Sequence, residues 1–455
     1  MKRRTFVKST GLATVATTIN PGDLILDSLP KKKPFTVILG SGFAGLGAAK
    51  KLKEAGYDYI ILEARNRIGG RVNTHTIDGL TCELGAEWIG KNHVELQKLN
   101  NENGQEMIDH TYETRLLKDD KFYDLGEWGF DETIDKWKAA LKYLQDNDGN
   151  TKLLSPIDKI DYWRYLHQIG VSEQNIELRD LMDSTDFGEC IRQVSAYSAL
   201  SEYAYSSEKN EMDFHAKGGN TNMINALSKI VDEDNTRIRI NHTVTEVNQD
   251  KKKIKVTCAN GAVFEADRII CTLPTFAIMK IKWNPVFSSA KRDAMDQLSY
   301  CRIVKTSMVF SERFWKDESF DMMTDTLGHY FFHSTKLQPG RKGILTSYAA
   351  GDRAYVLSKM SKEKKMKELA NCLEPAFGNV KPMMNDVVSY YWGGDQHVQG
   401  AYAIYDTTQW FGQRKALIES AGNIHFAGEH LADWQGFMEG AYVSGMDAAM
   451  AVIKS

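Results

Sequence analysis

A chain of 455 residues is too long for one compact core, and two or more lobes are expected. Its net charge of −3 is uneven: residues 1–33 carry +5 and the remainder −8. A mildly acidic body argues against nucleic-acid binding. The lack of a long apolar run argues against a transmembrane helix or stable membrane anchor. Six cysteines and 11 histidines, none at metal-ligand or CxxC spacing, argue against a metal site.

The chain begins Lys2-Arg3-Arg4-Thr5-Phe6-Val7-Lys8, followed by the weakly apolar stretch Gly11–Thr18. A twin arginine in this setting resembles a twin-arginine export signal, a route that carries folded, cofactor-loaded proteins, and implies a periplasmic protein. The apolar stretch is short and no clean cleavage site follows, so a plain basic tail on a cytoplasmic protein is the alternative. Residues 1–33 stand outside the fold argument in either case.

Phe35-Thr-Val-Ile-Leu-Gly-Ser-Gly-Phe-Ala-Gly45 is an apolar run that breaks into Gly40-x-Gly42-x-x-Gly45. After Phe43, a helical pattern follows from about Ala44 to Ala55. A second apolar run, Tyr59–Leu62, ends at Glu63. Strand, glycine turn, helix, strand and acid at this spacing predict a dinucleotide site. Gly40 permits the turn, Gly42 admits a pyrophosphate, and Gly45 lets the helix lie close on the strand. The helix N-terminus attracts the phosphates, and Glu63 accepts hydrogen bonds from a ribose. After Ala64 and Arg65, the segment Arg67-x-Gly69-Gly70-Arg71 can bring backbone N–H groups and a guanidinium to phosphate. A glycine-rich loop, Gly85-Ala86-Glu87-Trp88, follows.

From residue 94 to 214 the chain is richer in charge and aromatics, with amphipathic helices such as Asp131–Asn147, whose Ile134, Trp137, Leu141 and Leu144 share one face. A helix over Met223–Ile230 precedes a strand predicted over Ile238–Val247, which includes Val244. A hairpin follows about Ala259-Asn260-Gly261, then a buried strand over Arg268–Pro274. Ile303–Phe310 reads as a strand in which Lys305 interrupts apolar neighbours. A lysine there either has a partner or lies on an edge strand and reaches water. Val387–Trp392 is a further strand. The chain closes with Gly400-Ala401-Tyr402, then Gly428-Glu429, then Gly436-Phe437-Met438-x-x-Ala441 opening a helix over Met438–Ile453.

Together these motifs resemble the flavin-containing amine oxidases, a family that includes monoamine, polyamine and L-amino-acid oxidases. The first motifs are shared with other nucleotide-binding families, and the long, ordered C-terminal match is what separates this chain from them. The resemblance implies an α/β fold: a discontinuous Rossmann-type FAD-binding domain over 34–93, 215–283 and 385–455, with an inserted α+β substrate-binding domain over 94–214 and 284–384. It places FAD against the residues named above, against Val244 and Trp392, and against Gly428, Glu429, Gly436, Phe437, Met438 and Ala441. Ala401 stands where the mitochondrial monoamine oxidases carry a flavin-linked cysteine, so FAD is expected to be non-covalent. The catalytic residues implied are Lys305, which holds a water beside the reactive flavin nitrogen, and the aromatic pair Tyr402 and Phe437, which cages the amine.

The implied reaction is oxidative deamination of a small-molecule amine. A hydride passes to flavin, the imine is hydrolysed, and dioxygen becomes hydrogen peroxide. Amino-acid oxidases of the family often place an arginine at the position of Trp88, so a primary amine or polyamine is favoured. Glu87 either attracts the cationic substrate or faces solvent. The alternatives are an L-amino-acid oxidase or amine dehydrogenase of the same fold, and a flavin-bearing protein without turnover. Oligomeric state is open, a homodimer being one arrangement.

Overall fold

The computed structural model describes residues 33–124, 126–205, 214–250 and 253–455. The Lys2–Lys8 export motif lies outside these residues.

The first sheet has five strands in the order Ile424–Phe426, Arg268–Cys271, β1 (Thr36–Leu39), β2 (Tyr59–Leu62) and Ile238–Arg239. All neighbours are parallel. Both faces are covered, which is why β1 and β2 read as unbroken apolar runs rather than alternating ones. One face carries helix α1 (Phe43–Glu54) with the helices Thr221–Val231 and Met438–Lys454. The other packs against a smaller sheet that holds the expected hairpin, Ile254–Cys258 with Val263–Ala266. Helix α1 and the C-terminal helix meet at backbone distance: a Cβ on Gly445 would stand 1.9 Å from the Ala44 carbonyl oxygen. The last helix is therefore locked onto the first, and chain ends 400 residues apart build one nucleotide-type fold.

The second sheet has seven strands in the order Met384–Tyr391, Ile303–Phe310, Gly343–Ala350, Tyr330–His333, Phe320–Thr324, Glu113–Lys118 and Lys121–Tyr123. Beside it stands a helical layer including Ile134–Asp146, Glu173–Phe187 and Ala196–Ala204. The architecture is α/β, with an α+β lobe inserted into the parallel-sheet unit.

Two local expectations differ from what is observed. The single strand expected over Ile238–Val247 is two strands in two sheets, Ile238–Arg239 and Val244–Gln249. The break is Asn241, at φ 58°, a left-handed conformation that asparagine tolerates. There the backbone N–H groups of Asn241 and His242 donate to the carbonyls of Arg65 and Glu63, and the chain crosses the end of β2. Met384–Tyr391, expected with the nucleotide segments from residue 385, pairs along Ile303–Phe310 in the second sheet instead.

Candidate active site

A cavity of about 840 Å³ runs between the two sheets, from the β1–α1 turn to the face of the seven-stranded sheet. Every site residue singled out from sequence lines it except Gly45. Gly45 serves packing: a Cβ there would lie 2.0 Å from the Gly40 carbonyl oxygen.

At the nucleotide end, Gly40 holds φ 99°, which makes the turn. Gly42 caps α1 without any side-chain hydrogen bond, and the first residues of the helix, Phe43 and Ala44, border the cavity with no hydrogen bond to their N–H groups among the described residues. A Cβ on Gly42 would meet nothing nearer than the Gly70 Cα at 4.0 Å; the space this glycine keeps clear is not filled by protein. The Glu63 carboxylate fastens the turn: Oε2 accepts from the Ser41 N–H at 3.0 Å and hydroxyl at 2.6 Å, and Oε1 accepts from the Arg65 N–H at 2.9 Å. Ser41 is part of this site and escaped the motif reading because it occupies a free position of the fingerprint.

The arginines are committed to acids. Arg65 pairs with Asp395 at 2.6 Å, and Arg71 with Glu429 at 2.6 Å. Glu429 also accepts the backbone N–H groups of Ala403 and Gly436, tying the first and last motifs together. Burial works against the Glu429 charge, but the Arg71 guanidinium, His430 and the Ala403 N–H hold its carboxyl below the usual range.

At the far end, the Lys305 ammonium lies 2.5 Å from Glu87 Oε2, each residue only 4% exposed. Ile303–Phe310 is an inner strand, paired on both sides, so Lys305 has no edge by which to reach water. Glu87 does not face solvent: burial raises its carboxyl and the Lys305 charge only partly offsets this. The Glu87 loop is pinned by Asn220, whose side-chain amide donates to the Ala86 and Glu87 carbonyls at 3.1 and 2.7 Å. The Asn220 backbone N–H donates to Glu83 at 2.6 Å, and burial pushes the Glu83 carboxyl up to about 8.

Tyr402 and Phe437 both line this end. The Tyr402 hydroxyl donates to the carbonyls of Thr185 and Asp186, and its ring lies on Gly436. Phe437 packs against the rings of His93 and Trp434 at 5.2 and 6.0 Å. Trp88 is packed by Phe332 and Tyr112. The inserted lobe adds residues that the motif reading missed: Asp186, Asp321, Tyr330, Tyr348 and Tyr112. Lys305, Tyr348, Tyr330 and Met323 stand directly opposite one another across four strands, a row that no local pattern announces.

Residues 43–453 match the model of the family described as flavin containing amine oxidoreductase. The chain belongs to that family.

Relatives of this amine oxidoreductase include polyamine oxidase 3 of Oryza sativa subsp. japonica, 27% identical over 91% of this chain and 88% of the relative. The L-amino-acid oxidase of Siganus canaliculatus is 26% identical over 94% of this chain and 88% of its own. Human amine oxidase [flavin-containing] B is 23% identical over 92% and 85%. In fold, the chain is similar to putrescine oxidase bound to putrescine, with a TM-score of 0.83 at 20% identity over 93% of this chain and 99% of that one. It is also similar to cyclohexylamine oxidase from Brevibacterium oxydans IH-35A, with a TM-score of 0.82 at 19% identity over 93% and 99%.

The enzyme is thus an FAD-dependent oxidoreductase acting on amines. Its cavity fits FAD: an uncapped helix N-terminus and the clear space at Gly42 stand at one end, with an elongated apolar-walled passage beyond. Ala401 precedes Tyr402, and no cysteine lines the cavity among the described residues, in keeping with non-covalent FAD.

Proposed function

We propose that the enzyme oxidises a small cationic amine, a primary amine or polyamine, rather than an α-amino acid. One observation carries this. Among the described residues the cavity is lined by only two arginines, Arg65 and Arg71, each paired with a buried acid, so neither is free to bind a carboxylate bidentately. Trp88 stands at the position where the family resemblance implies such an arginine in amino-acid oxidases.

The acids point the same way. Asp186 sits beside Tyr402 within the protein, yet is accessible because it borders the cavity. A carboxylate there attracts a cation and repels a carboxylate. Tyr402 and Phe437 present aromatic faces to the amine. Lys305 gives one of its three N–H groups to Glu87; no other hydrogen bond engages it among the described residues, which leaves donors for a water or reactant in the cavity. When bound, FAD would supply the acceptor for a hydride from the amine α-carbon and the route by which two electrons, with protons from solvent, reach dioxygen as hydrogen peroxide. The residues orient the amine and exclude bulk water. Relatives named for polyamines and putrescine agree with this reading, while the relative named for L-amino acids supplies the competing one.

Peroxide release by the holoenzyme over matched amines and α-amino acids separates the two. Turnover confined to amino acids would overturn the reading, as would failure of every amine to bleach the flavin anaerobically. Export to the periplasm belongs to the same proposal and is supported by Lys2–Lys8 alone. Replacing Arg3 and Arg4 with lysine should leave the protein in the cytoplasmic fraction, and unchanged fractionation would remove it.

A further inference from the structure

The seven-stranded sheet forms one wall of the cavity, and its cross-strand row begins at Lys305 and passes through Tyr348 and Tyr330. Asp321 lies on the Phe320–Thr324 strand, opposite Phe332 and on the same sheet face, two residues along from the member of that row. It borders the cavity while being 2% exposed. Oδ2 accepts from the Tyr330 hydroxyl at 2.6 Å and the Thr114 hydroxyl at 3.0 Å. Oδ1 is buried and has no hydrogen-bond partner among the described residues. No cation pairs with it among the described residues: Arg115, on the strand alongside, is engaged by Asp317 at 2.7 Å. A buried carboxylate without a counter-charge is costly, and burial pushes this one up to about 7. Tyr330 and Phe332 stack beside it at 5.4 Å, and the Phe332 and Tyr112 rings already carry cations, the Lys305 ammonium at 5.5 Å and the Lys336 ammonium at 5.6 Å.

We propose that Asp321 is the anchor for a second ammonium group, at the far end of a diamine or polyamine whose other amine reacts near Lys305, Tyr402 and Phe437. The inference rests on the amine reading above and extends it to the substrate's length and charge. Three strand spacings and a two-residue offset put Asp321 roughly 16 Å from Lys305 between Cα atoms. The Lys305 side chain covers part of this distance, its ammonium lying 5.5 Å from the ring of Phe332, the residue opposite Asp321, so a diamine of intermediate length bridges what is left. The ammonium would complete Oδ1 with a charge-assisted hydrogen bond, while Tyr330 and Thr114 keep Oδ2 in place.

The test compares octylamine with 1,8-diaminooctane, which share an eight-carbon chain and differ by the distal amino group. Wild-type holoenzyme should show the higher kcat/KM for the diamine. Asp321→Asn should lower the diamine's kcat/KM roughly 10- to 100-fold while leaving octylamine within about twofold. Asp321→Leu, which removes the buried charge and keeps an apolar filling, should reverse the preference, with FAD content confirming that each variant is folded. Equal losses on both substrates, or an unchanged ratio in both variants, would overturn the anchor. If wild type turns over neither amine, the amine reading itself falls and the anchor with it; if it turns over both and the ratio does not move, only the anchor falls.

Discussion

The Lys305–Glu87 pair allows a quantitative test of how this site is held together. Both side chains are buried, and the ammonium lies 2.5 Å from the carboxylate. Removing one partner leaves the other charged and dehydrated, which costs about 3–5 kcal/mol for a buried pair. Replacing both with apolar groups of similar volume abolishes the uncompensated charge, and such replacements are often neutral or stabilising. Glu87→Leu and Lys305→Met should therefore each destabilise strongly. The double variant should be more stable than either single one, giving a coupling energy of about 3 kcal/mol or more in urea unfolding. Turnover should behave differently: the double variant regains stability but not activity, because the N–H groups that Lys305 offers to the cavity are gone. A coupling below about 1 kcal/mol is what an exposed pair shows, and would refute the claim that the pair is desolvated. Full activity in the double variant would refute the role given to Lys305.

Tyr402→Ala should lower kcat/KM for amines by roughly 10-fold or more while FAD content stays unchanged, whereas Tyr402→Phe keeps the ring face and loses less; equal losses would move the weight from the ring to the hydroxyl. Gly45→Ala drives a Cβ to 2.0 Å from the Gly40 carbonyl oxygen, so a loss of about 1–3 kcal/mol and weakened FAD retention are expected, read from unfolding curves and the flavin-to-protein absorbance ratio. For Glu83, burial pushes the carboxyl up to about 8 from its ordinary value of 4.5. Between these pH values the folded protein holds a proton that the unfolded chain has released, so this group's contribution to stability falls as pH rises through the window and levels off above about 8. Glu83→Gln should accordingly gain stability relative to wild type from about pH 4.5 to about pH 8, and a constant difference across that range would show that Glu83 does not titrate there.

What local sequence determined about this protein is the nucleotide half of the site. The β1 strand, the Gly40–Gly45 turn, α1, β2 and Glu63 are legible because strand, turn, helix and acid follow within 30 residues, and each is dictated by local sterics and backbone hydrogen bonding. The strand Ile303–Phe310 was legible for the same reason, as a buried apolar run. Whether Lys305 lay at an edge or in the middle of a sheet was not, because that depends on Met384–Tyr391 and Gly343–Ala350 arriving on either side. The split at Asn241 was hidden because alternation runs across it, and only its contacts with Arg65 and Glu63 reveal the crossing between sheets. Tertiary structure alone decided the partners: Glu87 for Lys305, 218 residues away, and Glu429 for Arg71, 358 residues away. It also decided that Asp186 and Asp321 border the same cavity. A motif records spacing along the chain, whereas the charge and shape of a pocket depend on sheet register and on how distant segments pack.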